Sequence, residues 1–260
     1  MQRGEVLDET GAALDPEAAY QAHRRLYYYR LLATEPQIPF EAHIVFQDEL
    51  LLIADKPHFL PVTPKGRYVQ QTLLTRLVKR TGIATLSPIH RIDRETAGLV
   101  AFAIRPETRD AYQALFRDRV VEKRYEAIAP WRPDLVLPMV CRSRLEERED
   151  AFMQMHEVAG EPNAETRISV IEKHDAQLAR YLLEPLSGRK HQLRAQMSAL
   201  GLPILGDRIY PKLLPEEAEP DYSAPLQLLA KTLAFIDPVT GRRREFESGL
   251  MLKSPTPDRP

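Results

Sequence analysis

Apolar residues recur along the chain at two spacings, which predict both strands and helices. The runs 43–46 and 50–54 flank a short polar turn, a pattern typical of a β-hairpin. Residues 70–81 and 106–118 repeat apolar side chains at helical spacing, whereas 99–104 is a continuous apolar run typical of a buried strand. Since strands and helices are interspersed without regular alternation, we predict an α+β fold with a mixed sheet.

The second half of the chain continues this mixture. Residues 121–129 and 180–185 are predicted strands, and 226–247 alternates like a closing pair of strands around a turn. Residues 187–201 predict a turn followed by an amphipathic helix, with one apolar side and an end at Gly201.

Residues 1–40 differ from the rest and are predicted to be an N-terminal extension to a main domain over 41–260. Gly4 to Gly11 read as a turn between short strands. Tyr27 to Tyr29 lie among arginines and either stack on nucleic-acid bases or alternate across a strand; the strand is the favoured interpretation. The prolines in 33–39 predict a linker.

Composition narrows the classes of protein. No apolar run approaches the ~20 residues that span a membrane, and the N-terminus lacks the pattern of a signal peptide. The single cysteine, Cys141, excludes an internal disulfide and a multi-cysteine zinc site, so we expect a cytoplasmic location. The net charge of −1 is unlike that of a strongly basic nucleic-acid binder. However, residues 187–208 hold four Lys or Arg against one acid, which leaves room for a local basic groove.

The segment from His90 to Leu99 carries the first candidate chemistry. It places His, Arg, Asp, Glu and Thr immediately before a buried apolar strand, where reactive groups are commonly presented. Asp93 lies between Arg91 and Arg94, and an ionised, positioned carboxylate can act as a nucleophile or a general base. By itself, an aspartate between arginines more often belongs to a structural salt-bridge cluster, and the spacing alone does not overturn that interpretation.

Two further segments add to this one. Gly188 is followed by basic residues at a predicted helix start, which is either a phosphate cradle or a cationic surface turn. His191 and Arg194, three residues apart, lie on one side of that helix. Tyr125 is an ordinary strand tyrosine unless a nucleobase pocket is close by. The chain has no P-loop, dinucleotide fingerprint, HExxH or nucleophile elbow, and no histidine pair at metal-ligand spacing, so neither a cofactor nor a metal is predicted.

Taken in order, these segments resemble the RluA-like family of RNA pseudouridine synthases over about residues 41–247. Residues 90–99 are similar to the family motif H-R-L-D-x-x-T-S-G-L. The other matching segments are 53–62 (N-K-P-x-G-L-x-V), 123–125 (the strand with the family's tyrosine), 188–194 (G-R-T-H-Q-I-R) and 203–210 (P-I-x-G-D-x-x-Y). Departures include Gln196 and Leu229, which stand where the family often has histidine.

The resemblance implies an α+β fold with a largely antiparallel curved sheet, flanking helices and a catalytic cleft across the sheet. It also implies a role for each matching position. Asp93 is the catalytic aspartate, Tyr125 stacks on the target uracil, and Arg194 pairs with the Asp93 carboxylate. Arg91 inserts where the flipped base was, and Leu228 packs beneath the tyrosine. The remaining expected RNA-binding residues are Arg94, Arg189, Lys190 and His191.

The implied activity converts specific uridines of ribosomal or transfer RNA to pseudouridine. Nothing is oxidised and no group is lost, so no cofactor is expected, and the expected assembly is a monomer. Residues 1–40 resemble the end of an S4 RNA-binding domain, which would make them a remnant. Two other functions stay open: an RNA-binding protein or chaperone without catalysis, and a glycosidase. A glycosidase calls for a second carboxylate about 5–9 Å from the first, and Glu95 lies nearby in sequence.

Overall fold

The computed structural model describes residues 6–15, 17–28, 35–147, 153–215 and 221–253, which divide into two units, Met1–Glu35 and Pro36–Pro260. In the first unit, β1 (Val6–Leu7) pairs with β2 (Tyr27–Tyr28) in antiparallel fashion. The Asp8 carboxylate accepts hydrogen bonds from the Thr10 and Ala12 amides and closes the predicted turn. The strand at Tyr27–Tyr28 is therefore confirmed in the backbone, while Tyr29 lies outside the described residues.

The second unit is an α+β structure, as predicted. Its described helices are α1 (Leu73–Thr81), α2 (Arg109–Arg117, preceded by a 3₁₀ turn at Pro106–Thr108) and α3 (Gln192–Ala199). Its described strands are β3 (His43–Gln47), β4 (Leu51–Lys56), β5 (Ser87–Pro88), β6 (Ala97–Ala103), β7 (Glu122–Pro130), β8 (Met139–Glu147), β9 (Met155–Val158), β10 (Ala164–Lys173), β11 (Leu178–Pro185), β12 (Leu228–Ile236) and β13 (Arg243–Glu247).

All of these strands join one sheet in the order β3-β4-β6-β12-β7-β11-β10-β8-β9, with β5 paired to β6 and β13 to β12. Each of the pairs between these described strands is antiparallel except β6 with β12, so the sheet is mixed and largely antiparallel. None of the helices in the described residues is long and apolar enough to cross a membrane.

Several element boundaries differ from the predictions. Helix α1 begins three residues later than predicted, because Thr72 caps it by accepting a hydrogen bond from the Thr75 amide at 3.2 Å. It ends at Gly82, which adopts a left-handed conformation with φ 74°. Strands β8 to β10 were not predicted, because their alternating, partly exposed residues are rich in Arg and Glu and lack a continuous apolar run.

The predicted linker also differs from what is observed. Ile38 is buried, and Arg76 donates hydrogen bonds to the carbonyls of Ile38 and Phe40. Residues 36–40 therefore pack as part of the main unit, without helix or strand structure.

The core explains the continuous apolar runs. Strands β4 and β6 are buried along their whole length because both faces are covered. Leu52 and Val100 face a cluster that contains Leu77 of α1, whereas Leu51 and Leu99 face a second cluster, which also includes the fully buried Tyr112 of α2, a residue not predicted to be in the core. A third cluster packs α3 against β7, β10 and β11.

Strand β12 lies between β6 and β7, and it therefore fixes the distance between the segment of Asp93 and the segment of Tyr125. Leu229 pairs with Ala97 at the start of β6, and the next residue, Ala230, pairs with Tyr125 on β7. Neighbouring strands lie about 4.8 Å apart, so Tyr125 and the start of β6 are at the same level of the sheet, about 10 Å from each other. Asp93 precedes that start by four residues.

Gly98 is required for this close approach of β6 to β12. Its φ is +111°, and a Cβ there would lie 2.3 Å from the carbonyl oxygen of Ala230. The substitution Gly98→Ala should therefore lower the free energy of unfolding by about 2–3 kcal/mol, measured by urea unfolding. Gly241→Ala is the control: it also has positive φ but open space around it, and should cost only about 1 kcal/mol. Equal losses in the two variants would contradict the steric explanation.

Candidate active site

The carboxylate of Asp93 lies in the loop between β5 and β6 and faces α3. Its side chain is 26% exposed, and Oδ2 accepts a hydrogen bond from Nη1 of Arg194 at 3.1 Å. Nε2 of His191 is 3.8 Å from the other oxygen, Oδ1. Two residues about a hundred positions away in sequence thus hold the carboxylate while leaving part of it open to a ligand.

Arg194 is almost completely buried and contacts three carboxylates. Its guanidinium donates to both oxygens of Asp207, at 2.8 and 2.7 Å, in addition to the bond to Asp93. The carboxylate of Glu95 lies 3.9 Å from Nη1. Burial by itself would lower the pKa of Arg194, but the hydrogen bonds and charge of Asp207, with the charge of Asp93, outweigh it and raise the pKa. The guanidinium is therefore a permanent positive charge behind Asp93.

The segment before α3 differs from the prediction in where the helix starts, since residues 187–188 were expected to lead directly into it. The helix begins at Gln192, four residues after Gly188, and His191 with φ 51° stands at its N-cap. The Gln192 side chain accepts hydrogen bonds from the Ser187 hydroxyl and the Arg189 amide, which fixes the turn. Residues 192–197 are all buried, so α3 is buried on every side rather than amphipathic.

The ring of Tyr125 is half-buried and packs against the apolar cluster beneath α3. Leu228 belongs to that cluster and pairs with Ala127, two residues after Tyr125 on the same face of β7, so Leu228 lies diagonally across from the tyrosine. Burial raises the pKa of the Tyr125 phenol, and the charge of Asp93 raises it further. A neutral aromatic ring therefore stands close to an anchored carboxylate.

The other predicted RNA-binding residues are in different situations. Arg91 is exposed, and within the described residues it forms no ion pair. Arg94 donates to the Glu95 carboxylate at 2.9 Å and to the Tyr68 hydroxyl at 3.1 Å. Lys190 donates to Glu147 at 2.5 Å, and the exposed Arg189 makes a long 3.4 Å bond to the Asn163 carbonyl. Among these predicted RNA-binding residues, Arg91 and Arg189 are thus the two cations that form no ion pair with an acid in the described residues.

His90, which opens the same motif, has a structural role. Its ring stacks on Phe116 with centroids 4.4 Å apart, and Nε2 accepts a hydrogen bond from the Ala101 amide at 3.1 Å. Burial lowers the pKa of His90 to about 3, with a contribution from the charge of Lys123. The neutral imidazole thus attaches the loop to β6.

Four residues of the site were not assigned a role from the sequence: Lys56, Glu95, Asp207 and Tyr210. Asp207 holds Arg194, and its Oδ1 also accepts the amides of Ile209 and Tyr210. The Tyr210 hydroxyl lies 3.4 Å from Nδ1 of His191. The only sequence signal for these two was their position in the segment 203–210.

Lys56 is fully buried at the end of β4, beneath the Asp93 loop. Its ammonium donates to the carbonyl oxygens of Pro57 at 3.0 Å and Arg94 at 2.9 Å. Burial lowers the pKa of Lys56 to about 7, although the charges of Glu95 and Asp93 oppose this. The sequence signal for a role of Lys56 was its position at the end of an apolar strand. Charged residues at strand ends are usually exposed to solvent, so this position alone does not predict a buried lysine.

Together these residues can perform a defined kind of chemistry. The arginine-held carboxylate can attack an electrophilic carbon or take a proton, and the neutral tyrosine ring beside it can stack on a planar base. The described residues contain no group of three or more His, Cys, Asp or Glu side chains that could hold a metal ion.

Comparison of the sequence with known proteins identifies relatives. A family model described as RNA pseudouridylate synthase matches residues 50–199. The dual-specificity RNA pseudouridine synthase RluA of Salmonella typhimurium is 32% identical over 219 residues, covering 82% of this chain and 94% of that protein. The RluA of Haemophilus influenzae is 29% identical over 227 residues, covering 84% of this chain and 97% of that protein.

Solved structures resemble the fold. Human RNA pseudouridylate synthase domain containing 4 is 26% identical, with a TM-score of 0.60, and the match covers 81% of this chain and 88% of that chain. Human RNA pseudouridylate synthase domain containing 1 is 21% identical, with a TM-score of 0.65, and the match covers 85% of this chain and 94% of that chain. This second similarity concerns the fold alone.

Proposed function

We propose that this chain, which belongs to the RluA-like family of RNA pseudouridine synthases, modifies specific uridines in ribosomal RNA or transfer RNA, acting as a cytoplasmic monomer. The chain is an RNA pseudouridine synthase, and therefore an isomerase. The observation that carries the proposal for the site is the bond of 3.1 Å between Arg194 and Asp93, at the level of the sheet where Tyr125 lies.

The reaction breaks the bond between C1′ of the ribose and N1 of uracil, rotates the base and joins C1′ to C5. The C5 proton is lost and N1 gains a proton, so atoms and electrons balance without an oxidant or reductant. In this proposal the Asp93 carboxylate either attacks C1′, adds to the base ring or removes the 2′ proton. All three routes require the carboxylate to be held in a fixed position, and the hydrogen bond from Arg194 does this.

The target uridine has to leave its stack to reach Asp93, at a cost of a few kcal/mol. Stacking on the Tyr125 ring, which Leu228 supports from the apolar cluster, offsets part of this cost. The exposed guanidinium of Arg91 is proposed to occupy the space that the base leaves. Arg189 and His191 are proposed to contact the same RNA from the turn before α3.

The environment of Glu95 argues against a glycosidase. That chemistry needs a second carboxylic acid that stays protonated and donates its proton. Burial would raise the pKa of Glu95, but the charges of Arg94 and Arg194 outweigh it, so the pKa is lowered. Glu95 is thus kept ionised and serves as a partner of the two arginines.

Residues 1–40 are proposed to be a separate extension, a remnant of an S4-like RNA-binding domain, attached to a catalytic domain over 41–260. The β1–β2 pair and the exposed ring of Tyr27 support an RNA contact there. Deleting residues 1–35, which leaves the buried Ile38 and the bonds of Arg76 to residues 38 and 40 in place, should weaken RNA binding while leaving the chemistry at Asp93 intact.

Pseudouridine mapping in a strain that lacks this gene, compared with its parent, tests the function. We expect one or a few pseudouridines to disappear from ribosomal RNA or transfer RNA and to return when the gene is supplied on a plasmid. Both RNA classes have to be mapped, because relatives are named dual-specificity enzymes. Identical maps of both classes in the two strains would contradict the proposed substrates.

A further inference from the structure

Lys123 is a half-buried cation close to the candidate site that the chemistry described above does not use. It lies on β7 two residues before Tyr125, so the two side chains project from the same face of the strand. Its ammonium donates a hydrogen bond to the Ser187 carbonyl at 3.0 Å. It also lies 4.0 Å from the point that a Cβ on Gly188 would occupy. Lys123 thus connects the strand of Tyr125 to the turn that carries Arg189 and His191.

The described part of the chain provides no acidic partner for Lys123. Its ammonium has three donors, of which the structure uses one. A cation removed from water is normally paired, since an unpaired buried charge is costly. Burial, together with the nearby charge of Arg119, lowers the pKa of Lys123 to about 8, so most molecules keep the positive charge at neutral pH. Two of the three donors of this ammonium are thus available to a ligand.

Three arginines near Lys123 also lack an acidic partner in the part of the chain that the structure describes. Arg119 is close enough to act on its pKa, and Arg189 follows Gly188 directly. Lys123 in turn acts on the pKa of His90, which adjoins Arg91. Among the described residues none of these three arginines has a carboxylate within 4 Å. By contrast, Arg124, which follows Lys123 but projects from the opposite face of β7, is paired with a glutamate, as are Arg142 and Arg243.

We propose that Lys123 binds a phosphate of the RNA backbone beside the target uridine, and that Arg91, Arg119 and Arg189 extend this phosphate-binding surface. This inference rests on the proposed function, because it takes the ligand to be the RNA substrate. It also indicates how a chain of net charge −1 binds RNA: Lys123 and the three arginines form a local group of positive charges that no carboxylate of the described residues neutralises.

The dependence of RNA binding on salt tests this proposal. Each protein–phosphate contact to single-stranded RNA contributes about 0.7 to the slope of log Kd against log salt. We expect Lys123→Met to weaken binding of a short fluorescent RNA hairpin with a uridine-rich loop by about tenfold and to reduce that slope by about 0.7. Lys123→Arg should restore both values, since it keeps the charge.

A matched control and a second variant keep the test decisive. Lys231 is also a half-buried strand lysine, but it is paired with Glu247 at 3.0 Å, so Lys231→Met should leave the salt slope unchanged. Arg119 is exposed, so Arg119→Met should fold normally and reduce the slope by about 0.7. Weaker binding by Lys123→Met with the wild-type slope would mean that Lys123 only ties β7 to the turn, and would overturn the proposal.

Failure of this inference can be distinguished from failure of the proposed function. All binding measurements are made in the Asp93→Asn background, where no turnover is expected, so they do not depend on activity. A reduced slope combined with unchanged pseudouridine maps would contradict the proposed substrates alone. An unchanged slope in Lys123→Met and Arg119→Met, combined with lost pseudouridines in the mapping, would contradict the phosphate site alone.

Discussion

Replacing Asp93 by asparagine is expected to reduce pseudouridine formation by at least about a thousandfold, because the variant loses the carboxylate that acts as nucleophile or general base. Folding should be retained, since the new amide oxygen can still accept a hydrogen bond from Arg194, whose charge remains balanced by Asp207 and Glu95. RNA binding should be retained as well. The measurement is tritium release from uridine-labelled RNA, with anisotropy for binding and urea unfolding for stability.

Asp48 provides a matched control for this substitution. Its side chain is 27% exposed, against 26% for Asp93, and it pairs with Arg244 at 2.8 Å. Asp48→Asn should therefore leave turnover close to the wild-type value. Wild-type turnover in Asp93→Asn would refute the catalytic assignment, whereas loss of RNA binding together with turnover would point to a structural role for the carboxylate.

Replacing Arg194 by methionine is expected to lower the free energy of unfolding by about 3–5 kcal/mol, because Asp207 would remain buried without its partner. Turnover should also fall steeply, since Asp93 loses the cation that holds it. Arg194→Lys should recover part of the stability but little of the turnover, because an ammonium cannot donate to both oxygens of Asp207 and to Asp93 in the same geometry.

The double variant Arg194→Met with Asp207→Asn separates stability from positioning. It removes both buried charges, and the introduced asparagine side chain still accepts the amides of Ile209 and Tyr210 through its oxygen. Stability should return most of the way to wild type, while turnover should stay low. Recovery of turnover together with stability would show that Arg194 acts only as a structural partner of Asp207.

Parts of this picture could be predicted because local patterns determine them. The hairpin of β3 and β4 was correctly predicted from two short apolar runs around a polar turn, and the end of α1 from Gly82. The start of α1 was misplaced, because the Thr72 cap outweighs the apolar pattern that begins before it. Helix α3 was predicted as amphipathic, although its polar residues Gln192, Arg194 and Gln196 are all buried.

The burial of those polar residues depends on partners that are distant in sequence. Gln196 hydrogen-bonds the Thr166 and Ser143 hydroxyls on β10 and β8, strands that were not predicted. It is one of the positions where the family often has histidine, and here its amide secures α3 to the sheet. A buried polar group is stable only when such partners exist, and a helical pattern does not show whether they do.

The sequence by itself determined that an aspartate lies between arginines before an apolar strand. It also determined the order of motifs that indicates the family, and the absence of an overall basic charge. The family resemblance implied that the distant Arg194 pairs with Asp93, whereas the residues around Asp93 by themselves pointed to its neighbours. In the tertiary structure Arg194 donates to Asp93, the adjacent Arg94 pairs with Glu95, and Arg91 pairs with no acid in the described part of the chain. The physical reason is that β12 lies between β6 and β7 and brings the start of β6 level with Tyr125, while α3 packs against β7, β10 and β11 and carries Arg194 to the Asp93 loop. Charges that are neighbours along the chain are therefore separated, and charges about a hundred residues apart become partners.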